Sequence, residues 1–293
     1  MNEHIMAEIA RVTQCIATQS EDTRALPCKA TVAKCLDTLR HILFPEHFVR
    51  EHLQHATLPA RVEALLKELS FDLIGQIRLA TRHHQNCETH QGGQVPPEAE
   101  VIAAAFFAQI PQIKARLTTD IEALYQGDPA AGSRCEVILS YPGLYAGMVY
   151  RIAHELHVLG VPILPRMMTE HAHSATGIDI HPGATVGAYF CMDHGTGIVI
   201  GESTVIGNHV KIYQGVTIGA LSTKSGQGLK GTKRHPTIGD HVTIYAGATI
   251  LGGDTVIGEH AVIGGNAFVV KSVPAHTSVR MKAPELQYKN DGV

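Results

Sequence analysis

The sequence contains no tryptophan, and aromatic residues fill only 5% of its 293 positions. A core assembled on large rings is excluded, so aliphatic side chains must supply most of the buried surface. Charge is sparse at 17%, and 24 Lys plus Arg stand against 27 Asp plus Glu for a formal net charge of −3. The cationic excess that neutralises phosphates is missing, which argues against a nucleic-acid partner. Long apolar runs are also lacking: Val101 to Ile110, interrupted by Gln109, is half of the roughly 20 residues that cross a bilayer, so no membrane span is expected. The start, Met1-Asn2-Glu3-His4, has neither the basic region nor the apolar stretch of a secretion signal, and a cytoplasmic location is expected. The six cysteines (Cys15, Cys28, Cys35, Cys87, Cys135, Cys191) form no CxxC pair, which suits free thiols and predicts neither disulfides nor a structural metal. Hydrophobic residues at 44% exclude a disordered chain.

What is present changes along the chain. Up to about residue 160 the pattern is helical, because runs such as Thr31 to Leu43, Pro59 to Leu79 and Leu144 to Leu159 set aliphatic residues three or four apart with polar ones between. The stretch Gln91-Gly92-Gly93-Gln94-Val95-Pro96-Pro97 reads as a loop, and Gly160-Val161-Pro162 ends the last of these helices. From about residue 178 the period becomes six. Aliphatic residues stand at Ile180, Val186 and Met192, at Ile200, Ile206, Ile212 and Ile218, at Ile238, Ile244, Ile250 and Val256, and at Ile257, Ile263 and Val269. Six residues advance a helix by about 600° and scatter its face, so these ladders are not helical. Glycine follows many of the rungs (Gly187, Gly201, Gly207, Gly219, Gly239, Gly258, Gly264), where a turn between short strands favours a residue without Cβ.

One inward aliphatic residue and one turn make one side of a triangular coil, and three hexapeptides complete a parallel β-helix. The expected fold class is therefore α+β: a helical domain over residues 1–175, a β-helix over 176–275 and a tail over 276–293. Leu221 to Pro236 breaks the repeat with Ser222-Thr223-Lys224-Ser225-Gly226-Gln227-Gly228, which is too polar to pack inside and is expected as an extruded loop.

Four ordered motifs carry a resemblance: Asp179-Ile180-His181-Pro182, Asp193-His194-Gly195-Thr196-Gly197-Ile198-Val199-Ile200-Gly201-Glu202, Gln214-Gly215-Val216-Thr217-Ile218-Gly219 and Arg234-His235-Pro236. Over about residues 128–273 the chain resembles the serine O-acetyltransferases. The resemblance implies a left-handed coil, although crossover statistics alone would favour the right hand. It also implies transfer of acetyl from acetyl-CoA directly to the hydroxyl of L-serine. A serine hydroxyl is a weak nucleophile at neutral pH, and a base with pKa near ~7 is required. Histidine meets that requirement, and a carboxylate on its other nitrogen fixes the tautomer. His194 with Asp179, fifteen residues earlier, is the expected dyad.

The acceptor is a zwitterion, which calls for a charged partner at each end. The resemblance implies that Asp128 and Asp193 hold the ammonium, and that Arg234 and His235 hold the carboxylate and aid the developing oxyanion, with Glu202 behind them. It places coenzyme A along the coil against Gly219, Ala220, Ala246, Gly264 and Gly265. It implies a homotrimer or a dimer of trimers. The end Asp291-Gly292-Val293 is similar to tails that dock in O-acetylserine sulfhydrylase.

Three other readings compete at this point. A hexapeptide acyltransferase acting on a sugar would keep the coil and the base, but would leave Asp193 and Arg234 without partners. A β-helical metalloenzyme would need three converging histidines drawn from His181, His194, His209, His235, His241 and His260. A trimeric scaffold would leave the polar motifs unexplained. His154-Glu155-Leu156-His157 is one residue short of the helical zinc motif HExxH, and the string His83 to His90 has no usual zinc spacing.

Overall fold

The computed structural model describes residues 3–19, 26–88 and 98–282. The helices are α1 (Glu3–Gln19), α2 (Lys29–Leu43), α3 (Leu58–Glu88), α4 (Ala99–Gly127), α5 (Arg134–Ser140), α6 (Pro142–Val158) and α7 (Leu164–Thr176). The three runs read as helical in the sequence are α2, α3 and α6, with α3 continuing to Glu88. The expected loop over 91–97 and the tail Asp291-Gly292-Val293 lie outside the described residues. Leu36, Leu39, Leu69, Leu73, Phe106, Leu117 and Ile152 are fully buried between the helices and form the first of two cores. No helix among the described residues is long and apolar enough to cross a membrane.

The second half is a coil of short strands: β1 (Asp179–Ile180), β2 (Thr185–Val186), β3 (Cys191–Asp193), β4 (Val199–Ile200), β5 (Val205–Ile206), β6 (Lys211–Tyr213), β7 (Thr217–Gly219), β8 (Thr237–Ile238), β9 (Thr243–Ile244), β10 (Thr249–Leu251), β11 (Val256–Ile257), β12 (Val262–Ile263), β13 (Phe268–Val269) and β14 (Ser278–Val279). They form three parallel sheets, β1-β4-β7-β10-β13, β2-β5-β8-β11 and β3-β6-β9-β12-β14. The chain visits the first, second and third sheet in turn, which is the parallel β-helix expected from the period of six. Pairing continues to Val279, beyond residue 275.

The inward residues of the first sheet are Ile180, Ile200, Ile218, Ile250 and Val269, aligned rung upon rung. The long step from Ile218 to Ile250 contains the extruded loop, whose only regular part is a short 3-10 turn at Gly226–Leu229. One expected rung is corrected. Val256 is 45% exposed and Ile257 is 0% exposed, because one extra residue near Gly252-Gly253 moves the frame so that Ile257 turns inward.

The corner glycines stand where a residue without Cβ was expected, and contact between coils is the cause. Gly187, Gly207, Gly239 and Gly258 do not have positive φ; instead a Cβ on each would lie 2.4, 2.2, 2.8 and 2.3 Å from an atom of the adjacent coil. They are small because consecutive coils touch there.

Three ridges run along the coil where the chain leaves one sheet for the next. The loop ridge, from the first sheet to the second, carries the extruded loop. The imidazole ridge, from the second to the third, carries Tyr189, His209, His241, His260 and His276. Their rings stack at centroid distances of 4.2, 4.6, 4.6 and 5.0 Å, and every one of these residues has φ between 56° and 57°. The glycine ridge returns from the third sheet to the first.

Helix α6 closes the open end of the coil. Ala146 and Tyr150 join the core of Ile178, Ile180, Val186 and Met192, and the Tyr150 hydroxyl donates to the Ala184 carbonyl at 2.5 Å. Beside it the buried Arg151 guanidinium grips Asp120 of α4 through Nε at 2.6 Å and Nη2 at 2.8 Å, and also donates to the Gly187 carbonyl at 2.8 Å. Asp120 in turn accepts the Phe190 amide at 2.9 Å. Removing one member of such a buried pair leaves the other charge uncompensated, at a cost of about 3–5 kcal/mol. The helical half and the first coil are therefore held as one unit.

Candidate active site

The glycine ridge is regular except at its start. Gly197, Gly215 and Gly247 have φ of 84°, 71° and 71°, and the amides of Gly215 and Gly247 donate to Thr196 and Gln214 of the coil before. Asp193 is aligned with Tyr213, and Val199 with Thr217. The first coil thus takes six steps where the second takes four, and the surplus pair is His194-Gly195. This two-residue bulge pushes His194 off the ridge in a left-handed conformation (φ 58°), leaving its side chain 71% exposed. Gly195 has to be glycine: its φ is 84°, and a Cβ would lie 2.5 Å from Ile178 Cδ1. The bulge therefore rests on the residue just before Asp179.

Two carboxylates stand beside His194. Asp193 Oδ1 lies 3.7 Å from His194 Nδ1, and Asp193 Oδ2 lies 3.3 Å from Lys211 Nζ. Lys211 also donates to the Gly127 carbonyl at 2.6 Å, tying the end of α4 to the coil. The next residue, Asp128, accepts the Tyr141 hydroxyl at 2.5 Å and the Ala130 amide at 2.8 Å. The Tyr141 hydrogen bond, then that amide, hold its carboxyl below the usual carboxylate range. Asp128 and Asp193 thus set two carboxylates beside the His194 imidazole, the second of them paired with Lys211. Lys211 and Tyr141 were missed in the sequence: Lys211 lies one coil after Asp193, and Tyr141 lies thirteen residues past Asp128, in no motif.

The second group sits on the loop ridge. Arg234 is ion-paired with Glu202 and also donates to the Leu229 carbonyl at 3.2 Å. Burial works against ionisation of Glu202, but the Arg234 hydrogen bond and the neighbouring His181 and His157 outweigh it and keep the carboxyl low. The His235 ring is 7% exposed and lies over Gly201, where a Cβ would meet its Nε2 at 2.1 Å. Burial, then the charge of Arg234, pushes His235 down to about 4, so it is neutral near pH 7. His181 and His157 pack edge to face at 6.2 Å, and burial lowers both.

Within one chain, Asp179 Oδ1 accepts from Arg166 at 3.0 Å, and Arg166 also pairs with Glu170 at 2.5 Å. Glu170, His173 and Asp179 could converge on a cation, but the Arg166 guanidinium already bridges the two carboxylates. The histidines considered for a metalloenzyme are spread over three ridges: His194 on the glycine ridge, His181 and His235 on the loop ridge, and His209, His241 and His260 on the imidazole ridge. They do not converge in one chain. His154 Nδ1 is taken up by the Pro182 carbonyl at 2.8 Å. Of the residues read as cofactor contacts, Ala246, Gly264 and Gly265 follow β9 and β12 on the glycine ridge above His194, whereas Gly219 and Ala220 lie where the loop leaves the first sheet. A Cβ on Gly265 would lie 3.2 Å from the Ala246 carbonyl, so the two coils come close here.

No family model matches the chain. A plasmid-encoded serine acetyltransferase of Synechococcus elongatus is 44% identical over 262 residues, spanning 87% of this chain and 82% of its own. The crystal structure of serine acetyltransferase isoform 3 of Entamoeba histolytica in complex with cysteine is similar with a TM-score of 0.75 at 37% identity, covering 88% of this chain and 84% of that one. A serine acetyltransferase complex with CoA aligns with a TM-score of 0.53 at 27% identity over 84% of this chain and 96% of that one.

The depressed histidine has a consequence for stability. In the unfolded chain His235 titrates near its ordinary 6.5, whereas in the folded chain it titrates near 4. The unfolded state binds the extra proton between those values, so stability is full above about 6.5 and falls as pH drops toward 4. Urea midpoints at pH 7 and pH 5 are expected to show a smaller acid loss for His235→Asn than for the wild type; an equal loss would contradict the assignment.

Proposed function

The chain belongs to the serine acetyltransferases, and from that premise we propose how its own residues divide the reaction. It is an acetyl-CoA-dependent acyltransferase that moves acetyl to the hydroxyl of L-serine, giving O-acetyl-L-serine and CoA. The serine oxygen attacks the thioester carbonyl carbon while His194 takes the hydroxyl proton. The C–S bond then breaks, and the imidazolium returns that proton to the thiolate. Asp179 backs His194; paired with Arg166 in the free chain, it would exchange that guanidinium for the imidazolium. Asp128 and Asp193 take the ammonium; Arg234, with Glu202 behind it, and His235 take the carboxylate and the developing oxyanion. Ala246, Gly264 and Gly265, with Gly219 and Ala220, line the path of the pantetheine arm.

The observation that carries this reading is the exposed His194 on its bulge beside two carboxylates. His194 and Arg234 stand on opposite edges of the first sheet of one chain. We infer a homotrimer, alone or paired into a dimer of trimers, in which the glycine ridge of one subunit faces the loop ridge of the next. The thiols of Cys28, Cys35, Cys135 and Cys191 support a reducing, cytoplasmic setting. The terminal Asp291-Gly292-Val293 is proposed as a ligand for the active site of O-acetylserine sulfhydrylase.

Two outcomes follow. His194→Ala and Arg234→Ala are each expected to abolish serine-dependent CoA release, with glucosamine as the control acceptor. Co-assembled, they should recover roughly a quarter of wild-type activity by random mixing in a closed ring. No recovery would contradict the split site, and CoA release with glucosamine in place of serine would contradict the acceptor. Separately, a peptide of residues 284–293 should compete with O-acetylserine for the sulfhydrylase; no competition at high concentration would remove that partner.

A further inference from the structure

The roles given to Arg234 and His235 depend on where the exposed loop returns to the coil, and one residue holds that return. β5 is aligned with β8, Val205 beside Thr237, so Ser203 lies directly against His235 one coil above. Ser203 bonds to three consecutive residues of the loop's exit. Its Oγ accepts the amides of Arg234 at 2.9 Å and His235 at 3.1 Å, and its carbonyl accepts Lys233 Nζ at 2.6 Å. Its own amide donates to His235 Nδ1 at 3.1 Å, and its hydroxyl lies 2.9 Å from that same nitrogen.

The direction of these bonds decides the chemistry of the ring. A backbone N–H can only donate, so His235 Nδ1 must present its lone pair, and the ring proton belongs on Nε2. Gly201 supplies the floor on which the ring lies. His235 then has a single polar hydrogen left to offer. A neutral Nε2–H donor can stabilise a carboxylate or an oxyanion, and it cannot take the hydroxyl proton in competition with His194.

We propose that Ser203 is a positioning residue, which anchors residues 233–235 and fixes His235 as the Nε2–H tautomer that donates to the acceptor. This deepens the proposed function and rests on it. Without the Ser203 hydroxyl, two adjacent amides lose their acceptor, and the Arg234–His235 pair is no longer fixed to the coil. A hydroxyl alone is needed, so threonine should serve in its place.

The test combines kinetics with imidazole nitrogen NMR on the full-length protein. In 15N-histidine-labelled wild type, His235 is expected to show an unprotonated Nδ1 and a protonated Nε2 between about pH 5 and 8. Ser203→Ala should lower kcat/KM for serine about ten- to a hundredfold, a loss of the size that follows from misplacing a contact group, with KM for acetyl-CoA held within about twofold. Ser203→Thr should restore kcat/KM to within about threefold of the wild type. A protonated Nδ1 in the wild type overturns the proposal, and so does Ser203→Ala with unchanged serine kcat/KM. A residue that merely supported the fold would lower the melting temperature and affect both substrates alike. If Ser203→Ala does not fold, the wild-type tautomer and the threonine rescue decide. If the wild type shows no serine-dependent turnover, the functional reading fails, while the NMR still decides how His235 is held.

Discussion

Every coil of the β-helix lies one backbone hydrogen bond above the last, and that spacing governs the rest of the molecule. At the corners after Gly187, Gly207, Gly239 and Gly258 the adjacent coil comes closer than any Cβ permits. Inside, each side of the triangle buries two residues, as Ile198 with Ile200 and Val216 with Ile218 show, and Ile200, Ile218 and Ile250 stack rung upon rung. The interior of a coil this strictly repeated is filled by its aliphatic stack. Chemistry has to be placed where the repeat is broken, and the chain breaks it at the two-residue bulge of His194-Gly195 and at the loop between β7 and β8. The frame shift at Gly252-Gly253 lies against the return of that loop, where a Cβ on Gly253 would meet the backbone of Lys233 and Arg234.

The helical half takes part in the site as well as closing the coil. Tyr150 and Ala146 of α6 cover the end of the aliphatic stack, and the Arg151–Asp120 pair joins α4, α6 and the first coil. That junction is what brings Asp128, at the end of α4, beside a strand some sixty residues later in the sequence. Lys211 completes it by bonding the Gly127 carbonyl and Asp193 at once. The two carboxylates proposed for the ammonium thus come from different halves of the chain, and one lysine ties Asp193 to the residue before Asp128.

Much of this was legible before any coordinates. The period of six gave the coil because a stacked core repeats its inward residue regardless of side-chain identity, and the polar run from Ser222 to Gly228 gave the loop because it has nothing to bury. Val256 was misread because two adjacent aliphatic residues, Val256 and Ile257, both satisfy a pattern, and only the extra residue before them decides which one turns inward. The corner glycines were legible as positions without room for a Cβ, but not that the adjacent coil is what fills that room. Ser203, Lys211, Tyr141 and Arg166 left no trace, because their partners are set by stacking and docking, not by neighbours in the chain. The loop return shows the same limit: Arg234 and His235 could be picked out, whereas the serine that holds them could not.

The coil folds by its repeat and acts through its interruptions, and deletion of the bulge tests this most directly. Removing His194 and Gly195 would set Asp193 next to Thr196 and give the first coil the same four steps from the third sheet to the first that the second coil takes from Tyr213 to Thr217. The variant is expected to keep its oligomeric state and a melting temperature at or above that of the wild type, with serine-dependent CoA release lost. Failure of this variant to fold would make the bulge part of the scaffold, and retained turnover would remove His194 from the reaction; either result contradicts the account.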